Sequence, residues 1–222
     1  GDDGNADGSA ALFMLPRPRV FKDNTSFKIR TTPSGELPTD QDLFDIISKG
    51  LPGSSMPPFD VLPVQERWDL VAYIKSLAED FEDEELIEAA EPAEELEGMQ
   101  EPPVTPESLA KGEELYQENK CWQCHGQLGR GNGPSFPDLK DDWGNPILPT
   151  NLTNREYYRG GASASDIYRT ITTGLNGTPM PAYRDSIEPE DRWALVHYMI
   201  SLGPPDQEFR DETVIAVRKA AL

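Results

Sequence analysis

Cys121-Trp122-Gln123-Cys124-His125 holds both cysteines and one of the two histidines of a 222-residue chain. The spacing is that of covalent haem attachment. Two thiols one helical turn apart can each add to one haem vinyl group, and the adjacent histidine then projects toward the iron as proximal ligand. Such links hold the cofactor where a small protein cannot bury it fully. A thioredoxin-type redox pair would need a β-α-β setting, and no stretch of the chain alternates like a strand. A zinc site would need four ligands, and His197 lies far along the chain from the cysteines.

A sixth ligand is read from the other end of the same region. Gly177-Thr178-Pro179-Met180-Pro181 forms a rigid loop between two helical stretches. A thioether is a soft, neutral ligand, and Met opposite His raises the reduction potential of the iron. A lone Met is otherwise a core filler. Here flanking prolines fix the loop, and an internal repeat puts Met56 in the same setting. Met199 reads as core. His197 reads as helix surface or core, because its counterpart is Ala72.

That repeat sets the organisation of the chain. Asp42 to Pro57 matches Asp166 to Pro181 without a gap, including Gly50-Leu51-Pro52-Gly53 against Gly174-Leu175-Asn176-Gly177. Glu66 to Leu77 matches Asp191 to Leu202, and Pro18 and Phe21 match Pro149 and Leu152. Two homologous domains follow. Between Glu79 and Glu101 stand twelve acidic residues and no basic one. This reads as a solvated, extended linker, in preference to a docking surface for a basic partner.

Local signals are helical. Thr39 and Ser163 are N-caps with Asp three residues on, and Gly50 and Gly174 stand at the C-cap positions. Thr105-Pro106 opens a further helix with Leu109, Gly112, Leu115 and Tyr116 on one face. The last helix of each domain carries Trp68, Val71 and Leu77, or Trp193, Val196 and Met199, as its apolar stripe. The expected class is all-α: two tandem domains of short helices and long Gly/Pro loops around haem.

The formal net charge is -20. Such a chain repels nucleic acid and anionic lipid and favours partners with basic docking surfaces. No apolar run is long enough to cross a bilayer. Neither a signal peptide nor an initiator Met is present, so Gly1 is not expected to be the translated start.

Residues 104–204 resemble a class I c-type cytochrome domain, on the helix with Gly112 and Tyr116, Cys-x-x-Cys-His-Gly at 121–126, a Pro-containing loop, the Met loop and a C-terminal aromatic helix. The whole chain resembles a tandem dihaem cytochrome. The resemblance implies that the first and last helices cross, with Gly112 and Tyr116 against Trp193 or Tyr198. It also implies that a loop proline carbonyl, with Pro149 the candidate, accepts the His125 N–H. The first domain departs from the pattern. Aligned on Gly126–Gly133, Gly1 falls directly after the histidine of an absent Cys-x-x-Cys-His. A missing upstream segment is preferred to a lost haem, because the Trp68, Val71 and Leu77 stripe would otherwise face water. Met56 is then the distal ligand of a second haem.

The expected domains are 1–80, an acidic linker at 81–103, 104–204, and a C-terminal tail at 205–222, read as bland rather than as a docking helix. The expected function is electron transfer through His/Met-ligated haem c, attached at Cys121 and Cys124, with a second haem c in the first domain. With both axial positions filled, the chain is not expected to be an enzyme. The resemblance implies a periplasmic location, as a soluble carrier or as the cytochrome subunit of a larger oxidoreductase complex serving redox proteins. The alternatives are a dihaem enzyme with one open haem, such as a peroxidase or sulfur-compound oxidase, and a haem-based gas sensor.

Overall fold

The computed structural model describes residues 1, 3–22 and 27–204. The expected C-terminal tail, 205–222, lies outside the described residues. Among these the fold is all-α, with no strand and one isolated bridge between Lys140 and Pro146. The helices are α1 (Asp40–Lys49), α2 (Val64–Lys75), α3 (Glu84–Ala89), α4 (Pro106–Glu118), α5 (Trp122–His125), α6 (Ala164–Thr173) and α7 (Pro189–Ser201). Short 3-10 turns and long loops join them.

The caps are built as the residue types dictate. Asp42 N–H donates to Thr39 Oγ1 at 3.0 Å, and Thr39 N–H donates back to Asp42 Oδ2 at 3.0 Å. Ser163 and Asp166 repeat this at the start of α6. Aspartate therefore closes the full capping box here, with its charge on the positive helix end. Pro106 stands at the first position of α4, where a missing N–H costs nothing. At the ends of α1 and α6, Gly50 and Gly174 adopt φ of 66° and 68°. A Cβ there would meet the backbone of Pro57 or Pro181, so the turn into each Met loop requires glycine.

The repeat read from sequence is also a repeat in space. Phe44 of α1 stacks on Trp68 of α2 with centroids 4.3 Å apart at 20°, and Tyr168 stacks on Trp193 at the same distance and angle. Arg67 and Arg192 each lie over the aromatic ring of the preceding helix, at 4.8 and 5.2 Å. Phe21 N–H donates to Gly4 O at 2.8 Å, as Leu152 N–H does to Gly129 O at 2.6 Å. Each half has its own apolar core, one around Leu43, Ile47 and Val71, the other around Tyr116, Ile171 and Val196.

Two expectations change. The Trp68 and Val71 stripe does not lie bare: α1 covers it, Val71 is buried, and Leu77 lies over Gly4. The open side of α2 is instead the Ala72 and Tyr73 face, with Tyr73 55% exposed. Nor is the acidic segment an extended tether. Phe81 enters the first core, and Ala93 N–H donates to Thr31 O at 2.9 Å. Glu95 reaches Arg184 Nε at 2.9 Å and the buried Arg192 Nη2 at 3.3 Å, while Leu96 and Met99 pack on the second core. Burial opposes ionisation of Glu95, but its own backbone N–H and the two guanidiniums outweigh it and hold the carboxyl below its ordinary range. Sparse apolar residues and one bridging carboxylate thus seat an otherwise like-charged run across both halves.

Candidate haem site

Asn119 caps α4, and Lys120 takes φ of 56°, which turns the chain straight into α5. Cys121 N–H donates to Tyr116 O at 3.1 Å, and His125 N–H donates to Cys121 O at 2.9 Å. Both cysteines and the histidine are therefore held on one short helical turn. The following loop is strapped to it: Gly131 N–H donates to His125 O at 2.8 Å, and the Tyr116 hydroxyl donates to Gly126 O at 2.6 Å.

The crossing of α4 and α7 supports this turn from behind. A Cβ on Gly112 would lie 2.6 Å from Tyr198 Cβ and closer still to Ala194 O, so only glycine permits the approach. The Tyr116 and Tyr198 rings lie 5.4 Å apart. Tyr198, not Trp193, is thus the aromatic at the crossing; Trp193 is engaged with Tyr168. His197 is completely buried here, with Nδ1 2.9 Å from Ser108 Oγ. It is core, not surface.

A cavity of about 360 Å³ opens beside α5, lined by Cys121, Cys124 and His125 and by Met180 from the far end of the domain. Tyr116, Leu152, Ile171 and Leu195 supply apolar wall. His125 Nδ1 lies 2.9 Å from Thr150 O. A carbonyl only accepts, so Nδ1 carries the proton and the lone pair is left on Nε2. The acceptor is Thr150, not Pro149: the Pro149 carbonyl is turned toward Gly131, and Pro149 serves as wall. Burial lowers the His125 pKa more than the Thr150 carbonyl raises it, which favours the neutral ring that a metal ligand requires. Burial also pushes the Cys121 thiol up to about 11 and raises that of Cys124.

Met180 is presented by a loop that bonds to itself. Leu175 N–H donates to Met180 O at 3.1 Å, the Thr178 hydroxyl donates to Leu175 O at 2.7 Å, and Met180 N–H donates to Thr178 Oγ1 at 3.2 Å. The Met56 loop carries the same three bonds through Leu51 and Ser54, at 3.1, 2.7 and 3.2 Å.

The site residues fit haem in donor chemistry: two thiols, a neutral imidazole and a thioether on one apolar cavity. A further fit is Arg159, which no motif in the sequence marks. It lines the cavity, and its Nε has no hydrogen-bond partner among the described residues. A cation so placed suits a haem carboxylate. A lone Arg before Gly160-Gly161 carries no periodic or motif signal, and Thr150 acts through its backbone, so neither was open to motif reading. Among the described residues no group of three or more His, Cys, Asp or Glu could hold a metal ion. No helix there is long and apolar enough to cross a membrane.

The family model of cytochrome c matches residues 109–203. A comparison with curated proteins gave no match. Among solved structures, a chain of the Kuenenia stuttgartiensis reducing HAO-like protein complex is similar. It shares 42% identity, covers 92% of this chain and 90% of its own length, and superposes with a TM-score of 0.83. The chain belongs to the same family as that subunit and carries a cytochrome c domain over residues 109–203, which implies covalently bound haem c and haem-based electron transfer.

Proposed function

We propose that this chain passes electrons through a haem that Cys121 and Cys124 would link covalently and that His125 and Met180 would hold as iron ligands. The observation that carries this reading is that one apolar cavity is lined by all four, although Met180 stands 55 residues beyond His125. Haem supplies a one-electron couple at its iron. The protein's part is to hold that couple in one geometry. Thr150 O orients the imidazole and sets its tautomer. The self-bonded loop positions the thioether, and the apolar wall excludes water. With His125 and Met180 both supplied as iron ligands, the domain would be suited to carrying electrons rather than to binding substrate at the metal.

The likeness to a subunit of a reducing HAO-like protein complex favours a cytochrome subunit of a redox complex over a free carrier. A periplasmic location, domains at 1–80 and 104–204, and a second haem with Met56 as distal ligand belong to the same reading. The matching bonds of the Met56 and Met180 loops support the last of these.

Met180→Ala in the haem-loaded protein tests the ligand set. It should abolish the weak near-infrared sulfur-to-iron charge-transfer band and lower the reduction potential. An unchanged band would exclude Met180. Mass and haem count of the full-length native protein test Met56: one haem only would exclude the second site.

A further inference from the structure

The turn that leads from α6 into the Met180 loop is gripped by the other half of the chain. Thr173, the last residue of α6, offers its carbonyl to Arg30 Nη2 at 2.8 Å. Its hydroxyl lies 3.4 Å from Arg30 O. Three residues on, Asn176 Oδ1 accepts from Ser34 Oγ at 3.4 Å. Gly177 then lies against Arg19: a Cβ there would stand 2.6 Å from Arg19 Nη1 and 3.0 Å from the Trp143 ring. The Arg19 guanidinium sits 5.0 Å over that ring. Three residues of the first half thus meet Thr173, Asn176 and Gly177, all within the five residues immediately before Thr178.

The burial of Arg30 shows how committed this grip is. The side chain is 1% exposed. Burial lowers its pKa to about 10, against the opposing pull of Asp42 and Glu36. Its Nε donates to Pro33 O at 3.1 Å, which aims the guanidinium plane at α6. A buried cation is retained at a cost unless its bonds are good ones.

Loop shape and loop place have different causes. The Met56 loop makes the same internal bonds as the Met180 loop, so those bonds define shape. They do not define where the thioether sits relative to His125. That depends on what holds the turn.

We propose that Arg30 and Arg19 are positioning residues for Met180. They clamp the 173–177 turn and restrict departure of the thioether from iron, so the first half completes the haem site of the second. This rests on Met180 as axial ligand. A loosened loop exposes the metal for a larger fraction of the time, and an added ligand then binds with higher apparent affinity in proportion to that fraction.

The test is an imidazole titration of the full, haem-loaded ferric protein, followed by its visible spectrum and near-infrared band. Arg30→Leu should keep the band without imidazole and bind imidazole about tenfold more tightly, the size of one charged hydrogen bond. Arg19→Gln, which removes the packing on Gly177 and the contact over Trp143, should keep the band and tighten binding about fourfold, the size of one cation–π contact. Arg30→Lys, which keeps a charged donor for Thr173 O, should move back toward the unaltered protein. If Arg30→Leu does not fold, Arg19→Gln, a change at a half-exposed side chain, carries the test. Affinities within about twofold of the unaltered protein in every folded variant would overturn the clamp. Failure of Met180 as ligand reads differently: the band is absent from the unaltered protein, or survives Met180→Ala.

Discussion

His125 and His197 have opposite fates, and the difference lies in what each ring nitrogen meets. His125 has Nδ1 on the Thr150 carbonyl and its remaining lone pair available for a metal. His197 is sealed between α4 and α7, with Nδ1 2.9 Å from Ser108 Oγ and Nε2 3.7 Å from a Glu101 carboxylate oxygen. Burial lowers the His197 pKa, and the Pro102 carbonyl only partly offsets it. The sign follows from linkage. The unfolded chain takes up the proton first, near its ordinary value of about 6.5, so the stabilising contribution is whole above that pH and is lost as the pH falls below it. The slope approaches about 1.4 kcal/mol per pH unit for this one proton. In the haem-loaded protein, ligation of His125 as proposed would withdraw it from titration and leave His197 as the other histidine. His197→Gln should flatten the fall in urea-derived stability as the pH drops below about 6.5. An unchanged slope would assign the loss to carboxylates instead.

At the scale of elements, the crossing of α4 and α7 fixes the turn that carries the cysteines. Gly112 is its pivot. Alanine in mid-helix normally gains about 1 kcal/mol over glycine. Here the added methyl meets a backbone carbonyl and a Cβ, neither of which can swing away, and overpacking costs about 1–3 kcal/mol. With the helix-propensity gain set against that cost, Gly112→Ala should destabilise the protein by about 1 kcal/mol in urea. It should also loosen the cysteine turn, visible as a weaker near-infrared band. The face that α4 covers on α7 has its counterpart on α2 at Ala72, Tyr73 and Ser76, all exposed. Tyr73 is the repeat of Tyr198, and the two differ in burial because only one has a crossing helix among the described residues.

For the whole molecule, charge and shape act separately. A formal charge of -20 would steer any basic partner from a distance, and salt shortens that reach to about 8–10 Å near physiological ionic strength. The acidic segment is both structural and electrostatic. Glu95 belongs to the seam, whereas Glu84, Glu85, Glu88 and Glu91 are exposed. Changing those four to Gln should slow association with a basic redox protein by about tenfold at low salt and by much less at high salt. The haem spectrum should not change. Stopped-flow electron-transfer rates across a salt series measure this; a rate that ignores the four changes at low salt would mean docking by an apolar face.

The sequence by itself determined the helical class, the cysteine turn, the caps at Thr39 and Ser163, and the repeat that pairs the two Met loops. The first three are local relations, in which partners lie within one turn or loop and residue type and spacing suffice; the repeat is a likeness of one local pattern to another and needs no contact between them. Only the tertiary structure decided the rest. Thr150 rather than Pro149 meets His125 because the loop's path, not its composition, chooses which carbonyl faces the ring. Tyr198 rather than Trp193 sits at the crossing because Tyr168 has already claimed the tryptophan. The acidic run is seated rather than solvated because the arginines that hold Glu95 stand 89 and 97 residues further on. Arg30 reaches Thr173 across 143 residues. No periodicity encodes such pairs. They form when independent elements collapse onto their cores and leave particular charges facing each other at low dielectric, where an unmet partner is too costly to keep.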